Sequence, residues 1–196
     1  FYDLLRLSKT TPKTSAPRPA SWLKQFSAAS KIADSIVCIT LSSKISASYD
    51  SAMVAAELAL EEQPDIPIKI IDSETAAGSE ALIALAAGRL AKNGQNTKDV
   101  ETYAHYVKKR VRLLAYLDTL EYVWRSGRVP RVAVWATSLL NMKPVMEFSR
   151  GKVGNFGKPR SRRKAMELIR KEMGKSIGAL PAHIAVMHAD AEEEAN

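Results

Sequence analysis

The chain has 196 residues, 46% of them hydrophobic and 26% charged, with a formal net charge of +8 at pH 7. That balance is ordinary for a globular protein, with chain enough for one substantial core or two modest ones. No apolar run is long enough to cross a bilayer, and a single cysteine, Cys38, excludes an internal disulfide or a multi-cysteine metal site.

The opening Phe1-Tyr2-Asp3-Leu4-Leu5 has neither an initial Met nor the basic and apolar regions of a signal peptide. A piece of a longer, cytoplasmic protein is therefore expected. Phe1–Ser8 predicts a short helix. Residues 10–19 carry three prolines, which rule out a regular helix and leave Thr14 and Ser15 on a semi-rigid loop. Helical patterning follows over Ala20–Ser30, with Trp22 and Phe26 on its apolar face.

Ile36–Leu41 is a short β-branched run of the kind that forms a strand buried on both faces. Cys38, inside it, reads as a small buried hydrophobe. The run stops at Ser42-Ser43-Lys44-Ile45-Ser46-Ala47-Ser48 and gives way to an Ala-rich helix over Ser51–Glu62. Two roles for these serines stand side by side: capping the helix, or binding a ligand at a strand's carboxyl end. A second strand over Ile66–Ile71, ending in Asp72-Ser73, and a helix over Ala76–Lys92 repeat the alternation. Helix and strand alternating in this way imply right-handed crossovers and a mainly parallel sheet. Two strands alone make a marginal sheet, so further strands are expected upstream.

Thr97–Arg112 predicts a helix capped by Thr97, Leu113–Leu117 a strand and Asp118–Trp124 a short helix broken at Gly127. Pro130–Leu140 reads as helical. Pro144–Phe148 and Lys152–Phe156 read as strands joined by a tight turn, and therefore antiparallel. Ser161–Met173 predicts a basic amphipathic helix and Ala182–Met187 a final strand. The change from crossovers to tight turns places a domain boundary near Asn96. The expected division is 1–95 and 96–196, each a partial α/β domain, the first with a parallel sheet and the second with a largely antiparallel one.

Catalytic and metal chemistry find no support. The three histidines, His105, His183 and His188, do not form a triad or a ligand set, and no Gly-x-Ser-x-Gly elbow or phosphate-cradling glycine loop is present. Lys and Arg crowd into residues 152–175, which offers a nucleic-acid-binding reading, but that stretch has one aromatic, Phe156, and no recognition motif. Two hydroxyl-rich loops remain, Thr14-Ser15 and Ser42-Ser43. Hydroxyls and free backbone amides can hold a carboxylate without a lysine.

Taken together, the motifs resemble the DegV family. Pro12-Lys13-Thr14-Ser15-Ala16-Pro17-Arg18-Pro19 is similar to its Thr-Ser-Gln-Pro-Ser-Pro segment, and residues 42–52 to its Ser-Ser-x-Leu-Ser-Gly-Thr-Tyr-x-Ser-Ala. Asp72-Ser73, Asp118-Thr119-Leu120-Glu121-Tyr122, Gly127-Arg128-Val129, Leu139-Leu140-Asn141-Met142-Lys143-Pro144, Arg160-Ser161-Arg162-Arg163-Lys164-Ala165 and His188-Ala189 follow in order. Ala16, Arg18, Ala47 and Ser48 depart from the pattern. The family's opening strand and closing segment are missing, as in a chain truncated at both ends.

The resemblance implies a two-domain α/β fold and a bacterial, non-enzymatic carrier with no cofactor. Its ligand would be a long-chain fatty acid such as palmitate, held in an interdomain tunnel and presented to a fatty acid kinase. Thr14, Ser15, Ser42 and Ser43 are the implied carboxylate contacts. His188, Arg160 and Arg163 are implied near the head group or facing the kinase. No nucleic acid partner and no membrane span are expected, only transient membrane contact. A binder of another lipid or anion is the alternative.

Overall fold

The structure is a computed structural model and describes residues 1–8, 10–62, 64–129 and 142–195. The helix expected over 130–140, and the motif residues 139–141, lie outside the described residues.

Strands β1 (Ile36–Thr40) and β2 (Ile68–Asp72) pair in parallel, from Ile36 opposite Ile68 to Thr40 opposite Asp72. Helix α3 (Ser48–Glu62) makes the crossover between them. Period-two side-chain alternation divides the β1 side chains between two faces. Val37 and Ile39 join Ile71 against α4 (Ala77–Lys92) and α5 (Thr97–Lys108), around Ile83, Ala87, Val100 and Ala104. Ile36, Cys38, Ile68 and Ile70 face α2 (Pro19–Ala29) and α3, around Phe26, Ala52, Ala55 and Ala59. Both faces of the strands are covered, which is why their sequences are almost continuously apolar. Burial, with a smaller push from Glu80, raises the Cys38 thiol to about 11.

The second sheet has the order β3-β4-β5 and is antiparallel, with β3 at Leu113–Tyr116, β4 at Val145–Ser149 and β5 at Lys152–Gly157. The two-residue connection Arg150-Gly151 has φ of 51° and 70°, the left-handed pair that suits a tight hairpin. A short helix α1 (Tyr2–Leu7), α6 (Glu121–Ser126), α7 (Arg162–Ile177) and α8 (Glu192–Ala195) complete the described elements. Gly127, at φ 70°, ends α6, and Ser161 caps α7 by accepting the Lys164 N–H.

Two compact units result: residues 15–113 with 149–152, and residues 1–14, 114–148 and 153–196. They do not divide at residue 95. Helix α5, expected in the second domain, buries Val100 and Ala104 against Ile83 and Ala87 and so belongs with the parallel sheet. Its cap is Asn96 rather than Thr97: the Asn96 side chain accepts the Asp99 N–H. The strand expected at Ala182–Met187 is absent; no strand pairs with it among the described residues. Ile184 and Val186 are 57% and 67% exposed. Alternating apolar residues favour a strand only when a neighbour supplies the hydrogen-bond ladder.

In the antiparallel-sheet unit, Leu120 and Met146 are the buried centre of an apolar cluster. Beside it in sequence, Asp118 receives Lys143 Nζ at 2.7 Å and Arg162 Nε at 3.1 Å, while Arg162 Nη1 also holds Glu194 at 2.6 Å. Hydrogen bonds from Arg162 and then Lys143 hold the Asp118 carboxyl down at about 2. A depressed carboxyl contributes stability above its unfolded value of about 3.9 and loses it as pH falls through the folded one. The group is half-exposed, so the effect is screened by solvent. Asp118→Asn is expected to destabilise the chain by up to about 1 kcal/mol at neutral pH. Thermal melting should show the gap closing between about pH 4 and pH 2; a gap independent of pH would contradict the assignment.

Candidate functional site

The hydroxyl-rich loop after β1 is shaped by its own backbone. Ser42 is fully buried; its N–H donates to the Thr75 carbonyl at 3.0 Å, and its Oγ accepts the Lys44 N–H at 3.3 Å. Its carbonyl then accepts the N–H groups of Ile45 and Ser46. Helix α3 starts three residues earlier than its sequence suggests, with the Ala47 carbonyl accepting the Ser51 N–H and Ser46 Oγ accepting the Ser48 N–H. The serine that serves the helix start is therefore Ser46, not Ser42 or Ser43.

Ser43 is committed elsewhere. Its N–H donates to Asp72 Oδ1 at 3.3 Å and its hydroxyl to Asp72 Oδ2 at 2.6 Å. Asp72 ends β2, opposite Thr40 at the end of β1, so this carboxylate ties the ends of both strands together. Asp72 Oδ1 also accepts the Glu74 N–H at 2.8 Å. Glu74 sits at φ 53°, a backbone conformation uncommon outside glycine. From α5, Lys108 Nζ donates to the Asp72 carbonyl at 3.1 Å and to Glu74 Oε1 at 2.9 Å. Nearby in the chain, Thr75 is 2% exposed, and its Oγ1 has no hydrogen-bond partner among the described residues.

The tip of the β4–β5 hairpin belongs to the same unit. Gly151 donates its N–H to the Glu74 carbonyl at 2.6 Å, and a Cβ there would lie 3.2 Å from Lys44 Cγ and 3.7 Å from Ser42 Oγ. Ser15 is exposed. Two residues further on, the Pro17 carbonyl accepts the Ser51 hydroxyl at 2.6 Å, which fastens the proline-rich segment to the first turn of α3.

Thr14 falls in the other unit. There Arg128 Nη2 donates to the Thr14 carbonyl at 2.6 Å and to Thr14 Oγ1 at 3.1 Å, while Arg128 Nη1 donates to the Ser126 carbonyl at 2.8 Å. His188 is exposed and accepts the Ala191 N–H on Nδ1 at 3.3 Å. Arg160 is exposed just ahead of α7, and Arg163 pairs with Glu167 one turn further along. Ion pairs on Arg162 and Arg163 offset part of the positive charge over 152–175. Among the described residues, no group of three His, Cys, Asp or Glu side chains is arranged to hold a metal ion.

The structure thus brings Ser42 and Ser43 together with Asp72, Glu74, Thr75 and Lys108, and it brings Thr14 together with Arg128. Sequence reasoning did not single out Asp72, Thr75 or Lys108 as site residues. In the sequence Asp72-Ser73 stands out only as a motif, and Arg128 only as part of its glycine turn. An arginine next to a turn glycine signals little by itself; its bond to Thr14 spans 114 positions.

A family model described as uncharacterised protein, DegV family, matches residues 1–196. Protein DegV of Bacillus subtilis is 32% identical over 197 residues, covering all of this chain and 69% of its own. The crystal structure of Bacillus subtilis DegV, described as a fatty acid binding protein, superposes with a TM-score of 0.87 at 31% identity. It covers 100% of this chain and 68% of that one. A fatty-acid-binding DegV family protein of Thermus thermophilus gives 0.80 at 27% identity, covering 91% of this chain and 62% of that one. A stearic-acid-binding protein of Eubacterium ventriosum gives 0.81 at 28%, covering 90% and 60%. The chain belongs to the DegV family. It spans roughly two thirds of the length of these relatives, from 60% to 69%.

Gly151→Ala is expected to cost about 1–2 kcal/mol, the penalty of a Cβ in a left-handed conformation. Urea unfolding would measure it, and a variant as stable as the parent would show that the turn relaxes freely.

Proposed function

We propose that the protein binds a long-chain fatty acid, such as palmitate, in a tunnel between its two domains and presents the head group to a fatty acid kinase. Family membership and the fatty-acid-binding relatives support the ligand class. The observation that carries the reading on this chain's own residues is the guanidinium of Arg128 on Thr14 Oγ1. A hydroxyl that accepts from arginine keeps its own proton to donate. Thr14 is therefore suited to a carboxylate oxygen, with a permanent positive charge close behind it.

Ser43 is the second proposed head-group contact, carried on a loop that Ser42 shapes, with Ser15 flanking Thr14. His188 is assigned to the head-group side. Arg160 is assigned to the kinase-facing surface ahead of Arg163, whose charge is shared with Glu167. No nucleophile from this chain is required, because the attacking atom is a ligand oxygen and the phosphoryl donor belongs to the partner.

Burying about 14 methylenes at roughly 0.8 kcal/mol each contributes about 11 kcal/mol gross. The entropy of association and ordering cancels much of it. The acyl chain thus supplies most of the affinity, and the hydroxyls fix orientation.

Mass spectrometry of organic extracts from the purified protein is expected to find saturated or unsaturated long-chain fatty acids. A preparation that neither carries fatty acid nor takes up palmitate would overturn the reading. Thr14→Val, which removes the hydroxyl and keeps the shape, is expected to weaken palmitate binding by about 1–3 kcal/mol. Equilibrium binding measures this, and unchanged affinity would remove Thr14 from the site.

A further inference from the structure

The tip of the β4–β5 hairpin is held where two unfavourable backbone conformations meet. Gly151 donates its N–H to the Glu74 carbonyl at 2.6 Å, and Glu74 and Arg150 both lie in the left-handed region, at φ 53° and 51°. Asn, Asp and Gly fill the first central position of such a two-residue turn at least cost, whereas a long side chain there lowers stability. The turn itself therefore gives no reason for Arg150. A residue kept in a costly backbone conformation points to function.

Its surroundings are cationic. A Cβ on Gly151 would lie 3.2 Å from Lys44 Cγ, so the stem of Lys44 runs against the tip. Lys44, Arg150 and Lys152 are exposed, and none of their side chains makes an ion pair or hydrogen bond among the described residues. The two nearby carboxylates are already committed. Asp72 holds the N–H groups of Ser43 and Glu74 and the Ser43 hydroxyl, and Glu74 is paired with Lys108. Arg125, Lys143, Arg162 and Arg163, by contrast, are each paired with a carboxylate.

We propose that Lys44, Arg150 and Lys152 form a docking surface for an acidic patch on a partner protein, the kinase that takes the presented head group. The inference rests on the kinase reading above and deepens it by naming a surface and the charge of its counterpart. An arginine fork beside two lysine ammonium groups suits carboxylate side chains. A lipid surface fits less well, because anchoring there buries an apolar face beside the cations. Ser149, Arg150, Gly151, Lys152 and Lys44 supply no such face. Single-stranded nucleic acid is bound with aromatic side chains on which bases stack, and these residues include none. Opposite charge across such a surface acts chiefly on the rate of encounter.

The test follows association of a purified fatty acid kinase of the same organism with the palmitate-loaded chain, by stopped-flow fluorescence at low and high salt. The double reversal K44E/R150E is expected to slow association about tenfold at low salt and less than about threefold at high salt. Its palmitate loading is expected to match the parent's. Lys24→Glu, which reverses an exposed cation on α2, is expected to change the rate less than about twofold. Arg150→Gly removes one charge and relieves the backbone, so it should melt no lower than the parent while associating about two- to threefold more slowly.

An Arg150→Gly variant that melts lower, or associates as fast as the parent, would overturn the inference alone. So would a slowing by K44E/R150E that persists at high salt, is matched by K24E or comes with loss of palmitate. Unchanged kinase association, with K44E/R150E released from phosphatidylglycerol vesicles that retain the parent, would assign the surface to lipid and overturn it as well. A chain that carries palmitate but does not bind the kinase would overturn the kinase reading and the inference with it.

Discussion

The parallel-sheet unit depends on one carboxylate. Asp72 stands where β2 ends, and through Ser43 it holds the loop that leaves β1. Its bond to the Glu74 N–H goes with a left-handed turn at Glu74, whose carbonyl then accepts Gly151. Lys108 secures the same turn from α5. Each of these polar groups is partly or fully withdrawn from water, where leaving a donor or acceptor unpaired costs about 1–3 kcal/mol. The network is therefore held as a set: loosening Asp72 would release the serine loop, the turn and the hairpin tip together.

Much of this architecture was legible in the sequence, and the reason is periodicity. β-Branched runs over residues 36–41 and 66–71, separated by an Ala-rich segment, specify two strands and a crossover helix almost without alternative. The hairpin around Arg150-Gly151 was equally plain. What the sequence left obscure depends on partners distant in the chain. The apolar stripe of α5 shows that Val100 and Ala104 are buried but not that Ile83 and Ala87 cover them. The Ser43–Asp72 bond spans 29 positions, and nothing local to either residue announces it. Helix α5 ends at Lys108, short of the expected Arg112, where Arg110 folds back over the Tyr106 ring with 3.4 Å between its carbon and the ring centroid. Ala182–Met187 has a strand's alternation without a strand's neighbour.

The candidate site shows the same division. Residue type and motif order make Thr14 and Ser43 candidates, but do not give the direction in which either hydroxyl points its proton. That direction is set by a second residue in each case, Arg128 for one and Asp72 for the other. Two chemically similar side chains thereby acquire opposite hydrogen-bonding character. A hydroxyl is neutral about its role until its neighbour assigns one.

Cys38 has a practical consequence for work on the molecule. Its thiol, raised to about 11 by burial in the strand, stays protonated at neutral pH, and the thiolate is the species that alkylating reagents attack. Cys38 is therefore expected to react with maleimides more slowly than an exposed cysteine while the chain is folded. A cysteine introduced on an exposed surface could be tagged selectively with a fluorophore or spin label, without first deleting the natural one and disturbing the sheet it packs in.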